Sequence, residues 1–114
     1  MKIKKTTKFL KFILGEHIIG ITLAPFGIYI REDYLDDDIT INHEKIHWKQ
    51  QMEMLIIFFY VWYGIEWFWK TGLYGKLAYY ALSFEREAYQ NDQNLNYIPT
   101  RKWYSWIKYI TDGE

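Results

Sequence analysis

Residues 43–47 read His43-Glu44-Lys45-Ile46-His47. On a helix, residues four apart lie one above the other on the same face, so the two imidazoles can reach a single metal ion. Glu44 is turned away from that face and need not be a ligand. It is placed to approach a metal-coordinated water from the side, which is the physical content of the HExxH pattern. Two histidines do not complete such a site. Catalytic zinc takes three protein ligands and leaves a further position to water.

The chain has no cysteine, which excludes thiolate zinc sites, disulfide scaffolds and Cys nucleophiles. The third ligand is therefore a carboxylate or His17, the only other histidine. The stretch Ser83-Phe84-Glu85-Arg86-Glu87-Ala88 sets two carboxylates among aromatic and apolar residues. On a helix, Glu85 shares a face with Ala88, Tyr89 and Asp92, and small Ala88 lets this helix come close to the first. Glu85 is the favoured third ligand. Glu87 reads as solvent-facing, and His17 as a structural or exposed histidine at the start of a strand.

Several elements must hold these groups. Residues 17–23 and 26–31 are β-branched and aromatic, with Ala24-Pro25 between them. They predict two short strands, an antiparallel hairpin or small sheet. Asp36, Asp37 and Asp38 suit the positive end of a following helix. That helix is predicted from Ile39 or Thr40 to about Trp69, bending at Gly64 and ending at Thr71-Gly72. A second covers about Leu73 to Asn94. After a turn to Pro99, Thr100 caps a third, with Trp103, Trp106, Ile107 and Ile110 on one face. The class is α+β, a small N-terminal sheet followed by three helices, in a single domain spanning 1–114. The aromatic run Phe58 to Trp69 is expected in the core. The segment 101–110 is read as closing that core rather than as a lid.

The composition narrows the function. Half of the 114 residues are hydrophobic, with 11 Tyr, 7 Phe and 6 Trp, too apolar for disorder. Basic and acidic residues balance at 14 each, so nucleic-acid capture is not expected. The lysines at 2, 4, 5, 8 and 11 read as a solvated, frayed terminus. Lys11 interrupts what would otherwise be a secretory signal, and the uninterrupted apolar run 54–65 falls short of the roughly 20 residues that span a bilayer. A cytoplasmic chain is expected, with peripheral membrane contact as the alternative, since Trp and Tyr rings favour the headgroup level.

The HExxH helix followed by Glu85-Arg86-Glu87-Ala88 resembles the gluzincin metallopeptidases, closest to the minimal single-domain gluzincins and the catalytic core of certain membrane peptidases. The resemblance covers about Phe26 to Asn91. It implies zinc held by His43, His47 and Glu85, Glu44 as the catalytic base, and peptide or protein substrates bound along Phe26 to Arg31 as an edge strand. In membrane-peptidase relatives an Asp follows the Ala and orients a zinc histidine. This chain has Tyr89 there, with Asp92 or Asn91 as substitutes. The implied reaction is peptide hydrolysis in which Glu44 takes a proton from zinc-activated water and passes it to the leaving amine. Tyr89 and Tyr97 are candidates to steady the oxyanion, though each reads first as a packing residue; Gln50 and Gln51 read as solvated helix residues, with a bond to a zinc histidine as the alternative. The rival expectation is a zinc-binding, aromatic-rich interaction module without catalysis, docking on a membrane surface or a protein partner.

Overall fold

The computed structural model describes residues 2–8, 10, 12 and 18–111; His17 lies outside them. Strands β1 (Ile3–Lys5), β2 (Gly20–Leu23) and β3 (Gly27–Ile30) form a sheet of order β1-β3-β2. The expected hairpin is present. β2 and β3 are antiparallel, pairing Gly20 with Ile30 and Leu23 with Gly27, and Phe26 N donates to Leu23 O across the turn (2.8 Å). The basic start is not frayed: Ile3–Lys5 pairs parallel with β3. Gly27 permits this. A Cβ there would stand 2.8 Å from Lys2 O, and its φ of +146° is a conformation that side-chain-bearing residues rarely adopt. β3 is thus the central strand, and β2 is the edge strand nearer the helices, reversing the expected role of Phe26 to Arg31.

The expected first helix is two. α1 (Asp38–Glu53) starts at Asp37, whose carboxylate accepts from Thr40 N (3.2 Å) and from the Thr40 hydroxyl. It stops at Met54, and α2 (Ile57–Tyr74) begins after a reversal. Leu55 and Ile56 have φ of 53° and 65°. With ψ at −58° and Ile57 N bonded to Leu55 O (2.6 Å), Ile56 is the centre of a strained γ-turn. No Gly or Pro marks this break. Gly64, where a bend was expected, lies inside α2.

The expected second helix is also broken. A 3₁₀ turn (Gly75–Leu77) leads to α3 (Ala78–Ala81) and then α4 (Ser83–Asn91), with α5 (Tyr97–Thr100) and a 3₁₀ helix (Ser105–Tyr109) after it. Thr100 ends α5 rather than capping a helix. Its hydroxyl donates to Tyr97 O (2.9 Å). In the 3₁₀ helix the repeat is three residues, so Trp106 and Tyr109 are buried while Ile107 is exposed; Trp103 precedes the helix and is exposed too.

Burial in α2 also departs from expectation. Phe59 packs with Phe84 and Trp106 in the aromatic core, but Phe58, Tyr60, Val61, Ile65, Trp67, Phe68 and Trp69 are exposed. The buried residues are instead the charged ones, Glu66 and Lys70. They find partners inside: Lys70 Nζ donates to Glu66 (2.7 Å), Ala81 O (2.5 Å) and Ile110 O (2.8 Å). Glu66 accepts from Ser83 N (2.9 Å) and the Ser83 hydroxyl, capping α4. A buried charge persists only when it is paired and hydrogen-bonded in this way. Among the described residues, no helix is long and apolar enough to cross a membrane.

A candidate metal centre

α1 presents His43 and His47 one turn apart, as their spacing predicts, and α4 brings Glu85 against them. Fully buried Ala88 lets the two helices close. Asn42 ties them at the far end, donating to Asp92 O (2.8 Å) and Asn94 O (3.0 Å). The three side chains are 7, 6 and 5% exposed.

His43 Nε2 and His47 Nε2 lie 3.2 Å apart. Glu85 Oε1 stands 3.0 Å from His47 Nε2 and 3.4 Å from His43 Nε2. A tetrahedral zinc with bonds of about 2.0–2.1 Å sets neighbouring ligand atoms about 3.3–3.4 Å apart. The other ring nitrogens are engaged elsewhere. His43 Nδ1 meets Asp92 Oδ2 (2.9 Å) and His47 Nδ1 meets Gln50 Oε1 (2.8 Å). Asp92 at the end of α4 therefore supplies the carboxylate that Tyr89 cannot, and carboxylate–histidine pairs of this kind orient metal ligands. Tyr89 packs its ring edge-on to His43 at 4.4 Å between centroids. The group His43, His47 and Glu85 can hold a metal ion.

The electrostatics agree with the donor set. Without a cation, three unshared electron pairs would face one another unless a proton lies between them. Burial works against charge on His47, but Glu85, Glu44 and the Gln50 hydrogen bond lift its pKa to about 9. Burial alone would raise Glu85, yet His47 and His43 hold it well below the usual carboxylate range. The pocket thus selects one positive charge at its centre, a proton or a metal ion.

Glu44 is 7% exposed and does not join the metal group. Its Oε1 accepts from Thr22 Oγ1 on β2 (2.8 Å), and the side chain lies over Gly20, where a Cβ would stand 3.2 Å from Glu44 Oε2. Two clefts flank it. One of about 350 Å³ has Glu44, His47 and Glu85 at its polar end and Phe59, Trp67 and Tyr79 among its walls. The other, about 470 Å³, is lined by Ile39, His43, Glu44, Tyr79, Tyr80 and Tyr89, among others.

The expected positions fare unevenly. Glu87 is not solvent-facing. It is fully buried and bonded to Gln50 Nε2 (2.9 Å), Tyr97 OH (2.6 Å) and Arg101. Tyr97 is thereby removed from the centre. Gln50 and Gln51 are buried too. Gln51 bridges to β2, donating to Thr22 O and accepting from Ala24 N (both 2.9 Å). Sequence reasoning missed Thr22, Tyr63 and Tyr79. Tyr63 OH donates to Glu85 Oε2 (3.2 Å). Burial pushes the Tyr63 and Tyr79 phenols up, so both remain proton donors. Nothing in the local sequence separates these tyrosines from the other nine. No family model matches this chain, and no curated protein or solved structure is significantly similar to it.

Proposed function

We propose that this chain is a zinc-dependent metallopeptidase of gluzincin type, with His43, His47 and Glu85 as ligands and Glu44 as general base. The observation that carries this reading is the convergence of two imidazole Nε2 atoms and one carboxylate oxygen, all buried, at tetrahedral spacing beside a second carboxylate that is not a ligand. A structural site has no use for that second carboxylate, whereas hydrolysis needs a base there. His43, His47 and Glu85 would hold the zinc ion, which when bound would lower the pKa of water towards about 7 and polarise a carbonyl.

The chain's own residues do the rest. The Thr22 hydroxyl holds Glu44 Oε1 and leaves Oε2 to accept a proton from water. Glu44 then passes that proton to the leaving amine. Tyr79, lining both clefts, is positioned to donate towards a developing oxyanion, with Tyr63 as the nearer support of Glu85. The edge strand β2 borders the polar end of the first cleft, and the aromatic walls suit a bulky apolar side chain of the peptide. The test is zinc content and hydrolysis of a broad peptide library by the wild type and Glu44→Gln. One zinc per chain in both, with hydrolysis reduced about 10²–10⁴-fold in the variant, is the expected outcome. Equal background hydrolysis in the two would remove the catalytic role.

One observation favours a second reading, docking on a lipid surface. The only charged residues of α2, Glu66 and Lys70, are buried against each other. Its exposed face, from Ile57 and Phe58 through Val61 and Ile65 to Phe68 and Leu73, is apolar, and Trp67, Trp69 and Tyr74 are exposed alongside. Large uncharged patches of this kind mark interaction sites, and this reading is compatible with catalysis.

A further inference from the structure

A chain of buried hydrogen bonds leaves His47 on the side away from Glu85 and ends in the C-terminal segment. His47 Nδ1 meets Gln50 Oε1 (2.8 Å). Gln50 Nε2 donates to Glu87 Oε1 (2.9 Å) and Phe84 O (3.1 Å). Glu87 accepts from Arg101 Nε (2.5 Å, at Oε2), Arg101 Nη2 (3.0 Å, at Oε1) and Tyr97 OH (2.6 Å, at Oε2). Arg101 continues to Glu53 through Nη1 (3.0 Å) and Nη2 (2.7 Å). Gln50 and Glu87 are fully buried, and the Arg101 side chain is 4% exposed.

Each link has only one polarity. An arginine is a permanent cation that only donates. Glu87, facing Arg101 and a phenol hydroxyl, therefore acts as an acceptor. Gln50 must turn its NH₂ towards Glu87, which leaves its carbonyl oxygen facing His47. A carbonyl only accepts, so the proton of a neutral His47 ring is on Nδ1 and the Nε2 electron pair is free. With the Gln50 amide turned round, NH₂ would face Nδ1. The ring proton would then sit on Nε2, aimed at His43 and Glu85, and would bar a cation from the centre.

We infer that Gln50, Glu87 and Arg101 are positioning residues that fix the His47 tautomer and so prepare its Nε2 for a metal ion. The segment 97–104 thereby helps set a metal ligand from behind α1 and α4, without covering either cleft. Arg101 is held on its far side by Glu53, whose backbone carbonyl also accepts from Tyr104 OH (3.0 Å). This inference rests on the metal reading for its purpose, but the tautomer it asserts is a property of the metal-free chain.

The test uses the full-length chain and four variants: Glu87→Gln, Gln50→Leu, Glu53→Gln and the exchange Gln50→Glu with Glu87→Gln. Zinc affinity is read by chelator competition, and the His47 tautomer by proton–nitrogen NMR of the histidine rings without metal, at a pH where the ring is neutral. Wild type is expected to show the Nδ1–H tautomer. Glu87→Gln and Gln50→Leu are expected to lose Nδ1–H preference and to bind zinc about 10–100-fold more weakly. The exchange keeps an acceptor against His47 and a donor between positions 50 and 87, so it restores both readouts towards wild type. Glu53→Gln weakens only the outer side of the clamp and leaves the Arg101 bonds to Glu87 in place; it lowers the melting temperature, and tautomer and affinity stay as in the wild type. An Nε2–H tautomer in wild type overturns the inference. So does a Glu87→Gln chain that folds and keeps the wild-type tautomer, or an exchange variant no better than Glu87→Gln. Absence of zinc binding alongside the expected tautomers would instead remove the proposed peptidase function and leave the positioning chain standing.

Discussion

At the scale of single residues, protonation and metal binding compete for one atom, His47 Nε2. With a pKa of about 9 in the metal-free chain, His47 must lose a proton when an ion enters at neutral pH. Apparent zinc affinity is therefore expected to rise about tenfold per unit between about pH 7 and 9. Chelator competition across that range checks it, and a flat profile would contradict it. The same shifts set the stability of the metal-free chain. His47 sits above its ordinary 6.5, so its contribution is whole below pH 6.5 and is lost as pH rises through about 9. Glu85 sits below its ordinary 4.5, so its contribution is present above pH 4.5 and is lost as pH falls towards its depressed value. Metal-free protein is expected to melt highest between pH 4.5 and 6.5, with zinc moving that optimum upward; melting curves with and without metal test the sign. Gly20 offers a separate handle. A methyl group there would meet Glu44 at 3.2 Å, so this proposed base must give way by a few tenths of an ångström, and the proposed ligands are spared. Gly20→Ala is expected to retain its zinc and to lose about tenfold in kcat, less than the roughly 10²-fold that a full ångström of misplacement costs.

The elements that carry these residues are held by features with opposite sequence visibility. The α1–α2 break needs positive φ at Leu55 and Ile56, conformations that cost L-residues about 1–2 kcal/mol each. Packing of Phe59 on Phe84 and Trp106, together with the Arg101 clamp on Glu53, offsets that cost. No local propensity signals such a turn, which is why one continuous helix was expected. Leu55 is 72% exposed, so Leu55→Gly relieves strain with little loss of packing. It is expected to stabilise the chain by about 0.5–1 kcal/mol after the added unfolded-state entropy, read by urea denaturation. The Glu66–Lys70 pair was similarly hidden, because a helix that is apolar on most sides gives no sign of which side is buried. Lys70→Met leaves Glu66 buried without its cation and is expected to cost about 3–5 kcal/mol. A loss below about 1 kcal/mol would show that the Ser83 contacts alone satisfy Glu66.

For the molecule as a whole, the exposed apolar face of α2 and the candidate metal centre on α1 and α4 make separable expectations. Phe68 is 85% exposed, and Phe68→Glu is expected to abolish flotation with anionic phospholipid vesicles while leaving zinc affinity and melting temperature unchanged. No flotation of the wild type would end the lipid reading and leave the peptidase proposal untouched. The sequence by itself determined the α+β class, the hairpin around Ala24-Pro25 and the pairing of His43 with His47, because strand alternation, turn residues and helical spacing are local properties. It also singled out Glu85, through its face shared with Ala88 and Asp92. Only the tertiary structure decided that Asp92 and Gln50 orient the two histidines, that Glu87 turns inward to Arg101, and that Tyr63 bonds Glu85 while Tyr79 lines both clefts. It likewise decided that β2, not β3, borders the site. These outcomes depend on contacts between residues far apart in the chain. A side chain's partners there are chosen by which helices and strands pack together and by the need to satisfy every buried polar group, and spacing along one element carries no record of either.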